Sequence, residues 1–216
     1  MVRQIVGKKV LEANFVTPDG YKEVVVDIGT GDGKFAYEYA RCNPGSYVIG
    51  LDADKSQLVE VSHKTQRKPA RGGLSNLTFL WHAAEEIPLE LSGIADQVFI
   101  NFPWGNLLSG VMLSVPESYD LMQRVVAVLR MGGRFNLFVT FDPKFEEQKI
   151  SQLNLPELSL EFLQTDLAQK YAGLGLQVER VWEMSDEEKR NFPSSWPKRI
   201  LDKREREVFG VVAAKV

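Results

Sequence analysis

Asp27-Ile28-Gly29-Thr30-Gly31-Asp32-Gly33 is the densest cluster of chemistry-bearing residue types in the chain. Closely spaced glycines let a backbone turn sharply and lie against a ligand where a side chain would collide with it. A dinucleotide loop of the form G-x-G-x-x-G would need its third glycine at residue 34, which is Lys34, so the pattern here is D-x-G-x-G-x-G. Asp27 at the head of such a loop would repel a pyrophosphate and attract a cation. The ligand this favours, over a nicotinamide cofactor or a purely structural turn, is S-adenosylmethionine, whose ammonium and sulfonium are both positive. Asp52 closes the next apolar run, where its two oxygens can take both hydroxyl hydrogens of a ribose. Asp27, Gly29, Gly31 and Asp52 are therefore cofactor-binding candidates. Ala84 and Glu85 follow a third apolar run. Ala84 is small enough to let its amide reach an adenine ring nitrogen, and Glu85 either accepts from the exocyclic amine or caps the next helix.

A second stretch, Phe99 to Asn106, FINFPWGN, ends a strand, turns, and pushes Trp104 toward solvent. It is similar to the Asn-Pro-Pro-Tyr signature of enzymes that methylate exocyclic amines, with Phe102 where the first proline would stand. Most tryptophans belong to cores. Trp104 and Trp196, however, both sit beside proline in polar surroundings, Pro103-Trp104-Gly105 and Ser195-Trp196-Pro197.

These residues need a scaffold, and the chain provides an alternating one. Val24 to Asp27 is a strand, Phe35 to Arg41 a helix, Tyr47 to Leu51 a strand and Asp54 to Arg67 a helix. Strands at Leu77 to Trp81 and Gln97 to Asn101 follow, then a helix over Ser118 to Leu129 stopped by Met131-Gly132-Gly133, and a fifth strand over Phe135 to Phe141. Such alternation implies right-handed crossovers and a mostly parallel sheet with helices on both faces. Asp142 to Pro156 is polar and irregular, Leu160 to Leu174 is helical, and two late strands, Leu176 to Trp182 and Val208 to Ala214, frame a loop from Met184 to Glu207. At the N-terminus, strands around Gly7-Lys8 form a small hairpin on a type II′ turn. The expected fold is a class I, Rossmann-like, S-adenosylmethionine-dependent methyltransferase with a seven-stranded sheet. Residues 1–216 make a single domain, with a hairpin extension over 1–20 and insertions at 142–160 and 184–207 between strands five and six and strands six and seven.

The 216 residues, 44% of them hydrophobic, are enough for one substantial core. Neither a signal-peptide apolar region nor a run long enough to span a bilayer is present, so a cytoplasmic protein with no membrane partner is expected. Cys42 is the only cysteine and reads as a buried structural thiol; with two histidines, no zinc-ligand spacing exists and no metal is expected. The formal net charge is −3, yet the positive charges are clustered. His63, Lys64, Arg67, Lys68 and Arg71 occur with no intervening acid, and Lys198, Arg199, Lys203, Arg204 and Arg206 crowd a second segment. Local basic patches on an acidic body suit phosphate contacts, although charge runs are also common on merely solvated loops.

Taken together, DIGTGDG, IGLDADK, RKPARGGLSN, AAEEIP, FPWGNLL and SSWPKR followed by Arg204-x-Arg206 resemble the 16S rRNA adenine N1-methyltransferases of the Npm and Kam type, from about Val24 to the C-terminus. The resemblance implies modification of the decoding-site adenine 1408 on the 30S subunit and aminoglycoside resistance, by a monomer with no protein partner. It implies that Asp27, Gly29, Asp52, Ala84, Glu85, Leu107 and Ser194 hold the cofactor, that Trp104 and Trp196 clamp the flipped adenine, and that Arg204 and Arg206 fix its backbone. His63 to Arg71, with Lys198 and Arg199, would dock on RNA. Two positions depart from the family pattern: Asn106 stands where a small hydroxyl residue is usual, and Leu153 lies where a basic residue is usual. A clamp fits the chemistry, because a base in a duplex hides its N1 edge and must be extruded and held. Ring N1 has an in-plane lone pair and needs neither an acceptor nor a general base, which leaves Asn101 a structural role. The competing readings are a transfer-RNA guanine N7-methyltransferase and a non-catalytic RNA-binding module on the same fold.

Overall fold

The computed structural model describes residues 1–194 and 206–216, and for residues 143–145 the backbone alone. Its centre is a sheet whose parallel strands are β3 (Glu23–Ile28), β4 (Ser46–Asp52), β5 (Leu77–Trp81), β6 (Ala95–Asn101) and β7 (Leu129–Val139). Antiparallel β9 (Phe209–Lys215) sits between β7 and the edge strand β8 (Leu176–Glu183). Alternating residues of the buried strands serve opposite faces: Val25 and Val48 pack under one helical layer, Val26, Ile28, Ile49 and Leu51 under the other. The first layer holds α1 (Lys34–Cys42) and α2 (Lys55–Thr65), which contribute Phe35, Ala36, Tyr37, Leu58 and Val61. The second holds α3 (Asn106–Met112), α4 (Ser118–Val128), α6 (Leu160–Gln164) and α7 (Asp166–Ala172), through residues such as Leu108, Met122, Leu163 and Tyr171. No helix among the described residues is long and apolar enough to cross a membrane.

With β1 (Val2–Val6) and β2 (Lys9–Ala13) the sheet has nine strands among the described residues, in the order β2-β1-β5-β4-β3-β6-β7-β9-β8, rather than seven with a separate hairpin. The hairpin of β1 and β2 joins because β1 pairs antiparallel with β5, Gln4 opposite Leu80 and Ile5 opposite Phe79. Gly7 has φ +61°, as a type II′ turn requires, and its amide donates to Ser62 Oγ of α2 at 2.8 Å, which pins the hairpin to the first helical layer.

Other expectations need correction. Residues 142–156 are not irregular: α5 (Pro143–Gln152) runs through them, broken at Glu146, where φ is −128°. A short α8 (Asp186–Asn191) interrupts the expected loop after β8, closed by a capping box in which Ser185 and Glu188 bond reciprocally. Helicity over 160–174 is split at Thr165. Met131-Gly132-Gly133 does not end α4, which stops at Val128; it forms an irregularity inside β7, between the pairs Ala95–Leu129 and Gln97–Arg134. Cys42 is exposed rather than buried, because it is the last residue of α1 and faces outward.

Candidate active site

A cleft of about 430 Å³ opens at the carboxyl ends of β3, β4, β5 and β6, the edge where open α/β sheets bind ligands. Its floor is the loop after β3. Gly29 and Gly31 both have positive φ, +73° and +57°. A Cβ on Gly29 would lie 2.7 Å from Leu107 Cδ2, whereas beyond Gly31 there is open space for a ligand. Asp52 anchors this loop: its Oδ2 accepts from the Gly31 amide at 2.8 Å and its Oδ1 from the Asp54 amide at 2.8 Å. Both oxygens retain lone pairs for a ribose.

Asp27 lies beneath the loop, 1% exposed. Thr30 Oγ1 donates to its Oδ2, and Asn101 Nδ2 donates to its Oδ1 at 3.0 Å. Burial drives its pKa up to about 7; the hydrogen bonds from Thr30 and Asn101 oppose that shift, while Asp52 and Asp32 add to it. Asp27, Asp32, Asp52 and Glu85 all line the cleft, and no lysine or arginine does among the described residues. A dinucleotide pyrophosphate would find no counter-charge here, and a cationic ligand finds four carboxylates.

Another wall of the cleft is made by the 3₁₀ turn Ala84–Glu86, of which Ala84 and Glu85 line it. Glu85 does not cap a helix; its Oε1 accepts from Asn106 Nδ2 at 3.2 Å. Asn106 thus has a partner that no sequence signal revealed, since α3 must first fold against the turn. His82, one of the two histidines without zinc-ligand spacing, also lines the cleft, a position no local pattern marks. Its Nε2 accepts from the Arg3 amide at 2.9 Å, and burial, with Arg3 nearby, holds its pKa below the usual histidine range.

Trp104 stands at the rim, 56% exposed. The cause is Phe102, a buried aromatic at φ +52°, a region such residues rarely adopt. Its ring lies 5.0 Å from Phe192, which in turn lies 4.8 Å from Phe138 and 5.7 Å from Phe35. With Phe102 fixed inward and Pro103 buried beside it, Trp104 turns out. Lys149 of α5 places its ammonium 5.2 Å from the indole centroid. Phe192 also brings the start of the second insertion over the cleft, so that Ser194, like Leu107, lines it.

Of the basic candidates, His63, Arg67, Lys68 and Arg71 are exposed where α2 ends. Lys64 is half-buried, its ammonium 3.5 Å from the Tyr37 ring centroid. Arg206 is largely buried, with Nη1 3.1 Å from Glu146 Oε2. Trp196, Lys198, Arg199, Lys203 and Arg204 lie outside the described residues.

Comparison with known proteins agrees with this geometry. The sequence matches the family model described as NpmA: 16S rRNA (adenine(1408)-N(1))-methyltransferase over residues 3–215. A 16S rRNA (adenine(1408)-N(1))-methyltransferase of Streptoalloteichus hindustanus is 37% identical over 220 residues, which covers 98% of this chain and 97% of the relative. The crystal structure of the 16S rRNA methyltransferase KamB superposes with a TM-score of 0.86 at 35% identity, covering 99% of each chain. A tryptophan-to-alanine mutant of the enzyme from Catenulisporales acidiphilia, solved with cosubstrate SAM, gives a TM-score of 0.86 at 30% identity and covers 100% of this chain and 97% of that one.

Proposed function

The chain belongs to the 16S rRNA (adenine(1408)-N(1))-methyltransferase family, and on that premise we propose that it methylates N1 of adenine 1408 in the 16S rRNA of the assembled 30S subunit. It works as a cytoplasmic monomer with S-adenosylmethionine as donor, and the modification confers resistance to aminoglycosides such as kanamycin and apramycin. The observation that carries this reading is a glycine-floored cleft lined by carboxylates with an exposed tryptophan at its rim.

The cofactor supplies an electrophilic methyl group on a sulfonium. Asp27 and the carboxylates around it favour its positive charge, Asp52 takes its ribose, and Ala84, Glu85 and Leu107 receive its adenine, with Ser194 closing the site. Trp104 offers one face of a clamp for the extruded base and Trp196 the other. Ring N1 carries no proton to remove, so the chain contributes positioning rather than a general base. Methylation leaves the base cationic, and an indole face favours that charge by about 0.5 to 2 kcal/mol. Arg67, Lys68 and Arg71, with His63 and Lys64, dock on RNA phosphates, joined by Lys198 and Arg199. Arg204 holds the backbone beside the flipped base, and Arg206 joins it by exchanging its ion pair with Glu146 for phosphate.

Incubating the protein with purified small subunits and labelled cofactor, then digesting the RNA to nucleosides, tests this directly. Labelled N1-methyladenosine is the expected product. Trp104→Ala should lower the rate by about 5- to 100-fold, the equivalent of one lost stacking face, while subunit binding persists. Labelled N7-methylguanosine, or full activity in Trp104→Ala, would contradict the reading.

A further inference from the structure

Asn101 closes β6 and lines the cleft. Its Nδ2 is spent on Asp27 Oδ1 at 3.0 Å, which fixes the amide beside that carboxylate. Its Oδ1 is buried and has no partner among the described residues. The large majority of buried amide oxygens in native proteins are bonded, and one left bare costs stability, so such an atom beside a ligand cleft points to a donor that arrives with the ligand.

We propose that Asn101 Oδ1 accepts a hydrogen bond from the α-ammonium of the cofactor, which makes Asn101 a cofactor-binding residue and not only a structural amide. The inference rests on the assignment of the cleft to S-adenosylmethionine. Two candidate donors differ in charge and in place: the cofactor's ammonium and the neutral 6-amino group of the target adenine. Asn101 adjoins Asp27, within a lining that holds four carboxylates and no lysine or arginine among the described residues. A cation at Oδ1 gains from the amide dipole and from that field together, whereas a neutral amine gains the hydrogen bond alone. In depth, too, Asn101 belongs with the cofactor. Its neighbour Asp27 is buried under the glycine loop, while the base would arrive at exposed Trp104, three residues further along the chain and past the inward-turned Phe102. The missing Cβ at Gly31, with open space beyond it, lets a ligand settle toward this floor. The terminal torsion of an asparagine is broad, so a modest rotation presents Oδ1 to the cleft.

Calorimetric titration of the full chain separates the possibilities. The two ligands are S-adenosylhomocysteine and its deaminated analogue, which keeps the carboxylate and lacks only the amino group; wild type and Asn101→Leu are compared, with thermal melting to verify folding. Wild type is expected to prefer the amino ligand. Asn101→Leu should weaken that ligand by about 10-fold or more, the scale of a hydrogen bond to a charged group, and leave the analogue within about twofold. Asn101→Asp, which keeps an acceptor oxygen, should retain the preference at pH 8 and serves if the leucine variant does not fold. Equal weakening of both ligands, or a selective weakening that disappears when Asn101→Leu is made in an Asp27→Asn background, would reduce Asn101 to a support for Asp27 and overturn the inference. Unchanged affinity for both, with a raised KM for the ribosomal subunit, would assign the oxygen to the adenine and overturn it as well. If wild type bound neither ligand, the cofactor assignment itself would fall, and the inference with it.

Discussion

Asp27 is a carboxyl that folding has pushed toward neutrality, and a cationic ligand should pull it back. Its pKa rises from 3.8 to about 7, chiefly through burial. Between these values the native state binds more protons than the unfolded chain, so this group's contribution to the stability of the ligand-free protein falls as pH rises through that window and is constant above it. Cofactor affinity should move the other way, increasing from about pH 6 to pH 8 as Asp27 ionises, with net proton release on binding near neutrality. Calorimetry in buffers of different ionisation heat reads both quantities; pH-independent affinity with no proton release would contradict the account, and Asp27→Asn should remove the dependence while weakening binding. At this scale the sequence was informative where chemistry follows from spacing. Asp27, Asp52, Ala84 and Trp104 stand where the glycine loop, strand ends and proline turn put them. The Asn106–Glu85 bond and the bare Oδ1 of Asn101 were invisible, because each depends on two segments meeting in space.

Among the elements, α2 and the turn after it carry two different uses of positive charge. Arg67, Lys68 and Arg71 project into solvent, while the Lys64 ammonium lies on the Tyr37 ring of α1. Replacing Arg67, Lys68 and Arg71 together with glutamine should weaken subunit binding and reduce the slope of log affinity against log salt by about 2, as three phosphate contacts are lost. Lys64→Gln should instead cost about 0.5 to 1 kcal/mol of fold stability, with a smaller effect on docking. Filter binding over a salt series and thermal melting distinguish the two, and an unchanged salt slope in the triple variant would make the run a solvated loop. Element boundaries of the parallel core were legible because apolar periodicity is strong there. The helices α5 and α8 were not, since their sequences are mostly polar: α5 is kinked at Glu146, and α8 depends on the Ser185–Glu188 capping box rather than on a buried face.

On the scale of the whole molecule, the parallel strands end at one edge, and the glycine loop, Trp104 and the start of the second insertion are gathered around the cleft there. The N-terminal hairpin lies at the opposite lateral end of the sheet from β8 and reaches the cleft through the Arg3–His82 contact. Its incorporation as two further strands could not be read from sequence, because strand partners distant in the chain leave no local pattern. An acidic body with a basic face gives a protein of net charge −3 a way to approach RNA, and the acidic cleft then selects the cationic cofactor. Such an assembly is built to deliver one methyl group to N1 of one adenine. Primer extension on 16S rRNA from cells expressing the protein tests it most directly, since a methyl on N1 blocks the Watson–Crick edge that reverse transcriptase must read. A new stop is expected immediately 3′ of adenine 1408 and should disappear with Asp27→Ala; uninterrupted extension through that position, with the wild-type protein present and folded, would rule out N1 methylation of that base.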